Sequence, residues 1–173
     1  MGTRRGYGAT PTALTNHSDS KLLLIGEEAP TLGGSEYLAR FDGADDFPAP
    51  PQAPRDRLDT LARIARREDT LAAHDVSHGG LVVTLAEMVT ADTGVDVSVS
   101  NRGAAFAEMP GRAVIQTTDP EAVRDAFDGL APVHDLGAPD ESGCLRLTAG
   151  DDSFETDAEQ IADWRSVISQ TLD

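Results

Sequence analysis

The window Thr70–Val89, TLAAHDVSHGGLVVTLAEMV, constrains this chain more than any other stretch. A strand over Thr70–Val76 runs into the polar residues Ser77 and His78, two glycines follow, and an apolar helix over 79–91 begins at once. Leu81, Val82, Leu85, Met88 and Val89 fall at helical spacing. A helix this close to its strand and this apolar must pack back onto a sheet, so the chain reads as layers of helix and sheet.

The remaining pattern extends that reading. Lys21–Glu27 (KLLLIGE) is a short apolar run that reads as a buried strand, and Gly33–Phe41 reads as a turn opening a short helix with Ser35 as cap. Asp42–Pro54 is loop, rich in Asp and Pro. Pro54 opens a helix to about Glu68, with Leu58, Leu61, Ala62 and Ala65 on its buried face. Its arginines, Arg55, Arg57, Arg63, Arg66 and Arg67, alternate with four acids, which reads as a solvated salt-bridged face rather than an anion site. Val95–Ser100 alternates as a half-buried strand, and Ala113–Thr117 is another. Thr118 and Glu121 form a capping box for a helix to about Gly129. Val133–Leu136 and Leu145–Thr148 are two strands around the turn Ala138–Gly143. Thr156 with Glu159 caps a last helix whose stripe is Ile161, Trp164, Ile168 and Leu172. The expected class is α+β, a mixed β-sheet flanked by helices. Residues 1–18 read as a linker or the remnant of a preceding domain, and 19–173 as the domain itself.

Charge narrows the partners. With 20 Asp, 10 Glu, 13 Arg and one Lys the formal charge is −16, and the C-terminal third is its acidic end. So negative a field repels phosphate backbones and anionic lipid, which disfavours nucleic acid and membrane surfaces, and the Asp-rich, Lys-poor composition suits a cytosol of high salt. Cys144 alone permits no internal disulfide, and its place at a strand start suits a small core residue. No apolar run approaches the length of a membrane span, and Met1–Gly8 lacks the hydrophobic stretch of a secretory signal, so the expected location is cytoplasmic.

The Thr70–Val89 window also offers chemistry. The first N–H groups of a helix lack partners and are electropositive, glycines let a ligand approach the backbone, and Asp75 at the strand end is placed to hold Mg²⁺ beside a phosphate. An ordinary strand–turn–helix, with Ser77 as N-cap and glycines chosen for the turn, explains the same residues, and spacing alone favours it. His74 and His78 straddle the strand end and turn, which argues against a helical zinc pair, and Ser77 lacks the G-x-S-x-G surroundings of a nucleophile. His17 and His134 read as surface or satisfied loop histidines.

Three ordered segments carry a family resemblance. HDVSHGGLVVTLAEM (His74–Met88) resembles the HDVSxGGLxxxLAEM signature of the phosphoribosylformylglycinamidine synthases. Leu22–Glu27 followed by LGGSEYL (Leu32–Leu38) resembles that family's strand and LGGSEYL motif, and FAEMPGR (Phe106–Arg112) resembles its F-x-E-x-x-G-R turn. The likeness is to one part of such enzymes, the last flanking domain of the AIR-synthase C-terminal (PurM-like) type. It argues against relatives such as selenophosphate synthetase or thiamine-monophosphate kinase, which carry different turns here.

The resemblance implies a part in purine biosynthesis, in the ATP- and glutamine-dependent conversion of formylglycinamide ribonucleotide to its amidine. ATP and Mg²⁺ are the implied cofactors, bound mainly by domains with no counterpart here. The family's catalytic histidine also lies in such a region, so no catalytic residue is carried over and the chain alone is expected to be inactive. Implied partners are the ATP-binding domains of the same synthase or of a neighbouring-gene product, a glutaminase subunit, and a phosphorylated small molecule. Ser77, Gly79, Gly80 and Glu108 are the implied phosphate- or substrate-binding residues, with Asp75 as a Mg²⁺ ligand. His78 stands where the family usually has an acid, and Met109 and Pro110 where smaller or polar residues are common. The reading from another class is a stand-alone non-catalytic binding or structural module, or the remnant of a split or truncated gene.

Overall fold

The computed structural model describes residues 10–28 and 31–171. In chain order the elements are β1 (Lys21–Ile25), α1 (Glu36–Phe41), α2 (Pro54–Ile64), β2 (Thr70–Asp75), α3 (Gly80–Met88), β3 (Gly94–Val99) and α4 (Arg102–Phe106). Then follow β4 (Ala113–Thr117), α5 (Pro120–Phe127), β5 (Val133–Gly137), β6 (Pro139–Asp140), β7 (Cys144–Ala149), β8 (Asp152–Asp157) and α6 (Ala158–Thr171). The strands form two sheets, β2-β4-β1-β5, antiparallel throughout, and β6-β3-β7-β8, in which β3 and β7 run parallel.

β1 shows why KLLLI has no polar alternation. Leu22 and Leu24 enter the core cluster shared by both sheets and α3, while Leu23 and Ile25 enter a second cluster with Ile64 of α2 and Val123 and Phe127 of α5. A strand covered on both faces is apolar at every position, and each buried Leu or Ile contributes about 1.5–3 kcal/mol. β3 faces the core on one side only and keeps its alternation, with Val95, Val97 and Val99 inward and Asp96 and Ser98 outward.

The leading residues pack on this core. The Ala73 N–H donates to the Pro11 carbonyl and the Leu14 N–H to that of Met88. The buried Gln116 side chain accepts from the Thr15 N–H and donates to the Thr15 carbonyl and to Ser20 Oγ.

The structure departs from the pattern reading at several elements. α2 ends at Ile64, and its inward stripe is Arg57, Leu61 and Ile64, so Leu58, expected inside, is 61% exposed. The helix is rotated because Arg57 reaches an acid at the end of β1. Helix α5 is capped by Asp119, whose side chain accepts from the Ala122 N–H, in place of the Thr118 box; Pro120 at N1 moves the cap next to itself. The two strands expected around Ala138–Gly143 belong to different sheets, because the short β6 pairs with β3 and carries the chain across.

β8 and α4 were not legible as elements. β8 is almost wholly exposed, so burial wrote no pattern into it, and it takes in Thr156, expected as a helix cap. Asp157 caps α6 instead, accepting from the Gln160 N–H. Ile161 is buried as expected, Trp164 is 52% exposed, and Leu172 and the Ile168 side chain lie outside the described residues.

Candidate ligand-binding site

Strand register assembles the site. Ala113, at the start of β4, pairs with Ile25 on one side and Asp75 on the other. The ends of β1 and β2 therefore meet the Glu108–Arg112 turn that leads into β4, and the Val76 N–H donates to the Arg112 carbonyl at 3.1 Å. α2 and the prolines Pro50, Pro51 and Pro54 close over these strand ends, leaving a cavity of about 570 Å³. Most of its lining is apolar, including Ile25, Leu61, Val76, Met109 and Phe127.

Of the residues singled out in the sequence, Asp75, Ser77 and Glu108 line this cavity together with His78. Asp75 and Ser77 are exposed, while Glu108 is mostly covered. Gly79 and Gly80 lie behind the lining, and their N–H groups are committed. Gly79, at φ +81, is the N-cap of α3 in place of Ser77, and its N–H donates to Glu108 Oε1 at 2.9 Å. The Gly80 N–H donates to the Ser77 carbonyl at 3.0 Å. Two consecutive left-handed residues shift the cap two positions beyond Ser77, which only glycine does without strain. Gly80 also lies under the next turn, where a Cβ would come within 2.6 Å of the Phe106 carbonyl carbon.

Glu108 is thus the anion that the helix start holds. The same Oε1 accepts from the Glu36 N–H of α1 at 2.8 Å, and His78 Nδ1 lies 3.5 Å from Oε2. One carboxylate fastens the starts of α1 and α3, a placement favoured by the electropositive end of a helix. Ser35 caps α1 as its sequence predicts, accepting from the Leu38 N–H.

Two buried arginines complete the lining, and motif reading picked out neither as a site residue. Arg57, 6% exposed, is not on a solvated face: its two terminal nitrogens fork onto Glu27 at 2.7 and 3.0 Å. Arg57 holds the Glu27 carboxyl below the usual carboxylate range, against the opposing effect of burial. Arg112, 2% exposed, donates to the carbonyls of Ala107 and Ala104, both at 3.1 Å. Burial pushes its guanidinium down to about 10, against the attraction of Glu28 and Glu27, and it stays protonated at neutral pH. The Nε of each arginine is buried without a hydrogen-bond partner. The clue available in sequence was Glu27 at the end of an apolar strand, an acid that burial would oblige to find a cation.

Among the described residues there is no cluster of three or more His, Cys, Asp or Glu able to hold a metal. The donor on this wall is the single exposed carboxylate of Asp75, which suits Mg²⁺, an ion held by one or two carboxylates with waters and ligand phosphate supplying the rest.

A sequence model of the AIR synthase related protein, C-terminal domain, matches residues 18–137. The chain belongs to that family. Its whole length is 46% identical, over 180 residues, to 25% of the phosphoribosylformylglycinamidine synthase subunit PurL of Haloquadratum walsbyi. For the PurL of Haloarcula marismortui the figures are 45% over 99% of this chain and 25% of the relative. The chain spans about a quarter of the length of these relatives. Solved structures agree in fold: Thermotoga maritima PurL complexed with FGAR superposes with a TM-score of 0.67 at 14% identity, over 87% of this chain and 29% of that one. Escherichia coli HypE, a hydrogenase maturation protein, gives 0.54 at 20%, over 83% and 50%. The α+β, PurM-like class expected from sequence is the observed one, and the resemblance to PurL extends to the whole chain. No helix among the described residues is long and apolar enough to cross a membrane.

Proposed function

We propose that this chain acts as the C-terminal AIR-synthase-related domain of a phosphoribosylformylglycinamidine synthase in purine biosynthesis, with ATP-binding domains supplied by the remainder of that enzyme. The match of the entire chain to one quarter of haloarchaeal PurL carries the reading. Support comes from T. maritima PurL, which has been solved with FGAR and, separately, with ATP. In this reading the cavity under α2 is a wall of a phosphate or nucleotide pocket. Asp75 carries Mg²⁺ beside the ligand, Ser77 contacts it, and Gly79, Gly80 and Glu108 shape the turn. The chemistry Mg²⁺ would supply is neutralisation of phosphate charge.

The chain provides a wall rather than a catalytic base, so it is expected not to hydrolyse ATP by itself. The test is complementation in trans. A haloarchaeal PurL lacking the matching quarter is combined with this chain, and conversion of formylglycinamide ribonucleotide is followed with ATP and an ammonia source. Activity should appear only when both parts are present. No activity from the reunited parts, with both folded and associated, would overturn the assignment.

A further inference from the structure

The loop between α1 and α2 lies over the site with strain at both of its ends. It begins at Asp42, with φ 54 and ψ 147, and ends at Ala53, with φ 46 and ψ 53, the two non-glycine residues of positive φ among the described residues. Residues with a side chain adopt such backbone at a cost in free energy, and strain of this kind gathers at ligand clamps and switch regions. Ala53 is also the N-cap of α2 and has no side chain with which to cap it. Both ends adjoin anchored helices: α1 is fastened through the Glu36 N–H to Glu108, and α2 through Arg57 to Glu27. Between them the chain crosses three glycines. A Cβ on Gly33 would come within 2.2 Å of the Asp46 carbonyl oxygen, one on Gly34 within 2.7 Å of the Phe47 ring, and one on Gly111 within 2.9 Å of the Pro51 ring. Gly33 lies outside the left-handed region, so the crossing, and not the turn, excludes a side chain there. Little else holds the segment down. No residue of 42–53 is buried, and Phe47 is 81% exposed. Among the described residues, the one hydrogen bond that ties 43–52 to the rest of the chain runs from the Leu32 N–H to the Asp45 carboxylate at 2.7 Å.

We propose that residues 43–52 are a hinged strap that swings off the cavity to admit a ligand and closes over it, with Asp42 and Ala53 as the hinges. The proposal rests on the reading of this cavity as a ligand wall and adds how it opens and shuts. With the strap down, Pro50 and Pro51 line the cavity beside Met109. A bound molecule therefore gains contacts in the closed state that the open state lacks, which is the differential affinity a ligand needs to shift such an equilibrium. Against closure stand the two strained hinges, which relax when the strap lifts. A single tie and exposed packing hold the empty strap down against that strain, and a segment held so lightly opens at little cost. Helix α2 stays in place, because Arg57 and Ile64 hold it to the core.

Thiol labelling of the full chain tests the strap without a ligand. Met109→Cys on a Cys144→Ser background puts the sole thiol in the cavity lining, while the parent chain, whose sole thiol is Cys144 in β7, reports opening elsewhere. Asp42→Gly and Ala53→Gly relieve the hinges in the closed state and should each slow labelling of Met109→Cys about threefold. Gly33→Ala, whose methyl displaces the Asp46 carbonyl, should speed it about tenfold. Asp45→Ala, which removes the tie to Leu32, should speed it severalfold. The Leu32 amide should exchange faster with solvent in Gly33→Ala and slower in Ala53→Gly. Labelling of Cys144 should be the same with each of these changes. Equal labelling of Met109→Cys across all four would overturn the proposal. So would faster labelling on Asp42→Gly and Ala53→Gly, the behaviour of a loop loosened by glycine rather than relieved of strain. A Cys144 rate that rises together with the Met109→Cys rate would also overturn it, since the whole domain would then be opening. Complementation can fail with the strap working, and the strap can fail with complementation intact, so the two readings fail separately.

Discussion

Two arginine–carboxylate forks in this molecule have the same dimensions and opposite surroundings. Arg57 meets Glu27 at 2.7 and 3.0 Å beside the cavity, and Arg102 meets Asp152 at 2.7 and 3.0 Å on the outer side, between α4 and β8. The first guanidinium is buried and its partner about one-third exposed, whereas both members of the second are more than half exposed. Distance therefore does not rank them. In the interior an ion pair stands against a large desolvation cost, so removing one partner strands the other; at the surface water replaces either partner at little cost.

The contrast breaks most easily at Glu27. Glu27→Ala should destabilise the chain by about 2–3 kcal/mol, below the usual loss for a fully buried pair because Glu27 is partly solvated. The paired change Glu27→Gln with Arg57→Met should recover most of that loss. Urea unfolding midpoints check both, and a double variant as unstable as the single one would mean that packing, and not stranded charge, sets the cost.

A smaller effect is expected at Glu108, whose Oε1 serves two helix starts. Glu108→Ala should cost about 1–2 kcal/mol, the range of a lost cap and its backbone bonds. The amide protons of Gly79 and Glu36 should then exchange faster with solvent. Unchanged exchange at both would show that Glu108 does not hold the two helices.

The pH dependence sharpens the inner fork further. Arg57 lowers the folded carboxyl of Glu27, so the pair's contribution is whole above the unfolded value of about 4.3 and is lost as pH falls through the folded value. Stability on that acid limb should fall less steeply in Glu27→Gln than in the parent, and identical slopes would remove the fork from the acid response. The smallest change is expected at the outer fork. Asp152→Asn should shift stability less than any substitution above, and the shift should vanish in molar salt. A salt-independent loss there would contradict the exposed reading of that pair.

The elements that were legible are those with a short-range code. KLLLI declared a strand buried on both faces, Ser35 a helix cap, and HDVSHGGL a strand end running through glycines into a helix. The motifs single out Asp75, Ser77 and Glu108, and the fold brings the three to one cavity. The misplacements share a different cause. Leu58 and Arg57 are adjacent on α2, and hydropathy alone put the leucine inside; the choice was made by Glu27, thirty residues earlier. The strands flanking 138–143 looked like a hairpin because they are close in sequence, but β6 takes them into separate sheets.

By itself, then, the sequence determined most of the kinds of element, the Gly79–Gly80 turn and the family to which the chain belongs. Periodicity, turn chemistry and motif order act between near neighbours and need no partner. Tertiary structure alone decided what those elements hold. It gave the glycine N–H groups to Glu108 and Ser77, turned Arg57 inward, and buried Arg112 with its terminal nitrogens on backbone carbonyls. Those outcomes depend on which groups the register at Ala113 brings together, and a buried charge is settled by its neighbours in space.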